Sequence, residues 1–141
     1  MSQFSKQENF IIITDKNSRI EFEIDQAKVV SSKNAADGII VGDLYGYISD
    51  VNRPILDLYG ASDKKEILGK HYLEFLVKEE RGKAVQRSIA SIINNQGMND
   101  EYRVRLKNGD EAKIEVTAYF LRDPDGEKIG FIDIVRKISQ E

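Results

Sequence analysis

Few residues of this chain are of types that do chemistry, and the most informative of them is an aspartate inside an apolar strand. In the run Gly130-Phe131-Ile132-Asp133-Ile134-Val135 the two-residue period of a strand puts Asp133 on the same face as Phe131 and Val135. If that face is the inner one, a carboxylate points toward the core, and burying it alone costs several kcal/mol. It must then be paired, hydrogen-bonded, protonated or wet. One reading makes Asp133 the anchor for a cationic or hydroxyl-bearing ligand. The other makes it an ion-pair partner of a nearby Arg or Lys, or lets a register shift expose it. A small α+β enzyme with Asp133 as catalytic carboxylate is a remote alternative, because no matched acid, base or metal set accompanies it.

The other reactive types are scarce. His71 is the single histidine, and it suits a polar loop or helix start. No Ser or Thr sits in a nucleophile motif. The absence of cysteine excludes disulfides, thiolate metal sites, thiol nucleophiles and sulfur-linked flavin or chromophore adducts. No catalytic or metal residues are therefore assigned.

Composition narrows the class further. A chain of 141 residues makes one ordinary domain that needs no covalent staple. Its 21 basic and 24 acidic residues leave a net charge of −3 with no basic stripe, so nucleic acid is not an expected partner. The longest apolar runs, residues 10–13 and 38–41, fall far short of the ~20 residues of a membrane helix. Residues 1–7 have no signal-peptide pattern. A cytoplasmic protein without membrane contact is expected.

The elements that must position Asp133 follow from punctuation and period. Residues 1–33 form an N-terminal extension, read either as a hairpin of residues 10–14 and 19–25 or as a helical seam through Ile20, Ile24, Ala27 and Val30; residues 26–33 favour helix. Residues 39–43 and 47–51 make a hairpin around Gly46. Asn52 is placed to cap a short helix with Pro54 in its first turn, and Gly60 ends it. Ser62 caps a further helical turn that Gly69 stops. Residues 79–96 form the one long helix, with Val85, Ile89, Ile92 and Ile93 as a buried stripe and Gly97 as its stop. Strands then alternate through Tyr102, Val104 and Leu106, through Ile114, Val116, Ala118 and Phe120, and through residues 127–137. Asn108-Gly109 and Asp123-Pro124-Asp125-Gly126 supply the turns. This order implies an α+β fold, one antiparallel sheet with helices on one face.

Residues 34–141 resemble the PAS family of sensory domains. The resemblance is carried by Asn34-Ala35-Ala36-Asp37-Gly38 at the entry, Val51-Asn52 at the strand-to-helix junction, Leu68-Gly69-Lys70 before the long helix, Leu106-Lys107-Asn108-Gly109-Asp110 at the hairpin, and residues 130–139 at the exit. Each piece is weak alone, but their agreement in order on one fold is strong. The resemblance implies a five-stranded antiparallel sheet in the order 2-1-5-4-3, with helices enclosing a small cavity. Its sheet side would be Tyr102, Val104, Ile114, Val116, Ala118, Phe131, Asp133 and Val135, and its helical side Leu73, Ile89 and Ile92. Most of these residues serve as core whatever is bound.

The resemblance also bears on cofactors. Tyr72 stands where light-sensing flavin members carry the adduct cysteine, and Val104, Ile114 and Val135 match positions that hydrogen-bond the flavin ring. The tryptophan of flavin redox sensors is missing, and the helix position of the proximal haem histidine reads Arg81-Gly82-Lys83-Ala84. No cofactor is predicted; an unidentified small molecule fits. Where the family has an acidic residue after the exit arginine, Lys137 reverses the charge.

The function implied is a sensory, signal-transducing module like those of two-component sensor histidine kinases. It binds a small ligand or partner protein, pairs as a homodimer through residues 1–33, and is not an enzyme. The alternative is a constitutive dimerisation or protein-interaction module with a side-chain-filled cavity. No output domain follows Glu141, so the output is expected either in trans or in a part lost by truncation.

Overall fold

The computed structural model describes residues 3–7, 10–15, 18–24 and 37–140. Its frame is a set of strands joined by the turns that the glycines mark. Strands β1 (Gln3–Gln7), β2 (Phe10–Asp15) and β3 (Ser18–Ile24) form an antiparallel meander. In the described residues Phe10–Asp15 and Ser18–Glu23 pair antiparallel, the pairing that the hairpin reading uses, with a further strand before them. The helix expected at residues 26–33 lies outside the described residues.

Strand β4 (Gly38–Asp43) turns at Gly46, whose φ of 98° is the left-handed conformation that glycine tolerates, and returns as β5 (Ile48–Val51). Helix α1 (Arg53–Tyr59) and three short 3-10 turns lead to helix α2 (Arg81–Asn94). Strands β6 (Met98–Arg105), β7 (Glu111–Arg122) and β8 (Lys128–Gln140) complete the chain. Pairing of β5 with β4, β4 with β8, β8 with β7 and β7 with β6 gives an antiparallel sheet. Counted over these five strands the order is 2-1-5-4-3, as expected. The meander joins at the far end of β7, where Ile24 faces Leu121 beyond the reach of β6.

Period-2 alternation sorts the sheet residues onto two faces. Val51, Tyr102, Val104, Ile114 and Val135 pack on the helix side with Ile55, Leu56 and Leu76. Ile39, Val41, Leu121 and Ile132 form a second cluster on the other face. Fully burying each such side chain contributes about 1.5–3 kcal/mol. Because Ile132 and Ile134 belong to the second cluster, their neighbour Asp133 must face the helices.

Several capping expectations are corrected. Asn52 makes no side-chain cap on α1; its Oδ1 accepts from the Ile39 amide at 2.9 Å and its Nδ2 donates to the Asp37 carbonyl at 3.2 Å, so it ties the helix entry to β4. The 3-10 turn Lys64–Glu66 is capped by Asp63 rather than Ser62, whose amide and hydroxyl donate to Glu66. Helix α2 is stopped by Asn95 in the left-handed region at φ 56°, before Gly97 is reached.

A buried ion pair fixes β5 to the first 3-10 turn. The Asp50 carboxylate, 5% exposed, accepts from the Lys64 ammonium at 2.9 Å and from the Val51 amide at 2.8 Å. Removing the cation strands a buried negative charge, so Lys64→Met is expected to lower stability by about 3 kcal/mol. Urea unfolding at pH 7 checks this; a loss no larger than that of an exposed-lysine variant would show that Asp50 does not need its partner.

Candidate functional site

The helices do not close tightly on the sheet, and the reason lies in α2. Its apolar residues Val85, Ile89 and Ile92 are 38–52% exposed and Ile93 is 75% exposed. The expected buried stripe is therefore corrected: Ala84 and Ser91 are the buried residues of this helix. Polar side chains hold α2 to the edge strand instead. Arg87 spans both oxygens of Asp100 at 2.9 and 3.0 Å, while Lys83 donates to the Glu101 carbonyl at 2.8 Å and lies 4.8 Å from the Tyr102 ring centroid. A helix fixed by long side chains to one edge stands off from the middle of the sheet.

That separation leaves a cavity of about 350 Å³ between α2, the 3-10 turn Tyr72–Phe75, and the sheet. Its size falls at the low end of small-molecule sites. Tyr102, Val104, Ile114, Val116, Ala118, Phe131, Asp133 and Val135 line it from β6, β7 and β8, and Leu73, Ile89 and Ile92 from the helical side. The structure thus brings all eleven predicted residues to one cavity. It adds Met98 and Asp100, which the sequence reading passed over, and Tyr72, which that reading considered only as standing in place of an adduct cysteine. Met98 and Asp100 continue the alternation of Tyr102 and Val104, so extending that strand would have found them.

Asp133 is at the centre of the floor, between Ile40 of β4 and Ala118 of β7. Neither neighbour offers a side-chain donor, and no hydrogen bond or ion pair reaches its carboxyl among the described residues. Protein surrounds the group except where the cavity opens above it, and this burial pushes its pKa up to about 7. Both the ion-pair and the exposed-register alternatives are thereby set aside in favour of an inward, unpartnered carboxyl. Tyr72 and Tyr102 share its surroundings: both phenols are pushed up chiefly by burial, with the charge of Asp133 adding to the effect.

Two further polar side chains of the cavity wall, Tyr72 and His71, are engaged. The Tyr72 hydroxyl lies 3.1 Å from the Ser88 hydroxyl on α2. His71 is a helix-start residue: Nδ1 accepts from the Leu73 amide at 3.2 Å, and Nε2 is 2.7 Å from the Tyr45 carbonyl, to which it donates. Its ring also stacks on Tyr72 with centroids 4.9 Å apart. Among the described residues no group of three or more His, Asp or Glu side chains could hold a metal ion.

The model of the PAS fold matches residues 28–138. The chain belongs to the PAS family. Solved PAS structures agree with this membership. The PAS domain of a protein from Colwellia psychrerythraea is 26% identical, covers 74% of this chain and 88% of its own, and superposes with a TM-score of 0.68. A domain of a sensory box sensor histidine kinase/response regulator from Geobacter sulfurreducens is 28% identical, covering 73% and 84%, with a TM-score of 0.58. The PAS domain of an HTR-like protein from Haloarcula marismortui is 24% identical over 75% and 84%, with a TM-score of 0.63, a likeness of fold. No curated protein sequence matches the chain. As a PAS domain it is a sensory module of signalling proteins. No helix among its described residues is long and apolar enough to cross a membrane.

Proposed function

We propose that this PAS domain is a small-ligand sensor: it binds a small molecule between sheet and helices and passes the occupancy to its flanks through β8, without making or breaking bonds. The observation that carries the reading is an apolar cavity of about 350 Å³ with an inward carboxyl that lacks a partner. A constitutive interaction module with a side-chain-filled cavity would have no use for either. The ligand is not haem or flavin, since Val104, Ile114 and Val135 offer such rings no hydrogen bonds and α2 has no histidine. Residues 1–33 are the proposed homodimer surface, preceding a sensory domain at residues 34–141. An output domain in the same polypeptide or in trans reads the signal in the cytoplasm.

Native mass spectrometry of the purified protein, with an absorbance scan, tests this. A small-molecule mass excess on each subunit of a dimer, without visible absorbance, is expected. Haem or flavin bands would overturn the cofactor assignment. A bare mass together with no uptake of any apolar probe would favour the constitutive module.

A further inference from the structure

We propose that the ligand is a small organic amine, an apolar ring-bearing body whose single ammonium pairs with Asp133; this rests on the reading of the cavity as a ligand site. The walls fit the apolar part. Ile40, Val116, Val135 and Ile92 present only hydrocarbon, so the body is held by shape and burial and the polar contact is concentrated at one point.

That point selects positive charge. The ionisable groups that share the cavity wall are already engaged. Asp100 is held by Arg87, and Arg105 pairs with Glu111 at 2.9 Å. Asp43 accepts from the Tyr45 and Tyr47 amides at 2.9 and 3.0 Å, and His71 is committed to Leu73 and Tyr45. Of the three carboxylates on the cavity wall, Asp43, Asp100 and Asp133, only Asp133 has no donor among the described residues. An anion placed there meets a like charge. A hydroxyl gives the carboxylate a hydrogen bond assisted by one charge, whereas an ammonium adds to its hydrogen bond the attraction of two opposite charges.

The surroundings supply room and a second attraction. Ala118, directly opposite Asp133 on β7, is small enough to leave space above the carboxyl for a head group. The rings of Tyr72, Tyr102 and Phe131 line the same cavity, and aromatic faces attract a desolvated cation. Protein surrounds this carboxyl except at the cavity, so the unliganded protein already bears part of its desolvation. A bound ammonium therefore gains the attraction of a charge whose removal from water was partly made on folding.

The experiment uses three probes of one shape: phenethylamine, 2-phenylethanol and phenylacetate, titrated calorimetrically into the wild-type domain and Asp133→Asn at pH 8 and pH 5. Phenethylamine is expected to bind wild type at least about tenfold more tightly than the alcohol at pH 8, with phenylacetate weakest. Because a protonated carboxyl no longer attracts a cation, the amine preference should shrink at pH 5. It should vanish at both pH values in Asp133→Asn, with the alcohol still bound. Equal binding of amine and alcohol by wild type, or a preference that survives the substitution, overturns the amine assignment and leaves the ligand-sensor reading standing. Binding of none of the three probes counts against both.

Discussion

Asp133→Asn is expected to stabilise the ligand-free fold, by about 2–3 kcal/mol at pH 8 and by about 1 kcal/mol at pH 5. The sign follows from where the proton binds. Asp133 has its pKa near 7 in the folded protein, against about 3.9 in an unfolded chain. Below both values the carboxyl is neutral in either state and imposes no charge-burial penalty. As the pH rises from 4 toward 7 the unfolded state releases its proton first, so folding loses stability, and above 7 the whole penalty is present. A shift of about three units corresponds to at most about 4 kcal/mol, which solvent in the open cavity reduces. Asparagine keeps the shape and removes the charge. Urea unfolding of both proteins at the two pH values measures the difference. An equal effect at pH 5 and pH 8, or a loss of stability at pH 8, would show that the carboxyl has a partner in solution.

A larger loss is expected of Gly130→Ala, about 3 kcal/mol or more, up to failure to fold. Gly130 of β8 lies opposite Asp43 of β4 and Leu121 of β7. A methyl group there would meet the Gly42 carbonyl oxygen at 1.9 Å, its carbon at 3.0 Å and the Asp43 Cα at 3.2 Å. All three are backbone atoms, so no rotamer change relieves the clash and β8 would have to part from β4 beside the cavity. Gly126, in the β7–β8 turn, is the control: nothing stands within 4 Å of its added methyl, but its φ of 86° is left-handed. Gly126→Ala should therefore cost only about 1–2 kcal/mol. Thermal unfolding ranks the two, and equal losses would mean that the β4–β8 approach yields more readily than its geometry implies.

These two residues show how differently parts of the chain can be read. Asp133 was legible because alternation in a strand is a local property: once Ile132 and Ile134 are assigned to one face, Asp133 belongs to the other. The need for glycine at position 130 was not legible, because it arises from a neighbouring strand brought close by pairing across some ninety residues of chain. Helix α2 failed for a related reason. Val85, Ile89 and Ile92 form an apolar stripe at helical spacing, and such a stripe ordinarily packs. Here Arg87 and Lys83 tie the helix to β6 through non-local contacts while the stripe stays partly exposed. Asn52 is a further case: its type favours a cap, yet the amide of Ile39 is close enough in the fold to take its side chain.

The sequence by itself determined the strands of the PAS region and their turns, which rest on period and on the left-handed demands of residues such as Gly46 and Gly109; the strand order was implied by the resemblance to the PAS family that its motifs carry. It also limited the chemistry, because a chain without cysteine can form no sulfur-linked adduct. Only the tertiary structure decided that the interior stays open and that Asp133 stands alone in it. Local pattern records which way a side chain points. Whether space and a partner wait there depends on how far apart the packed layers come to rest.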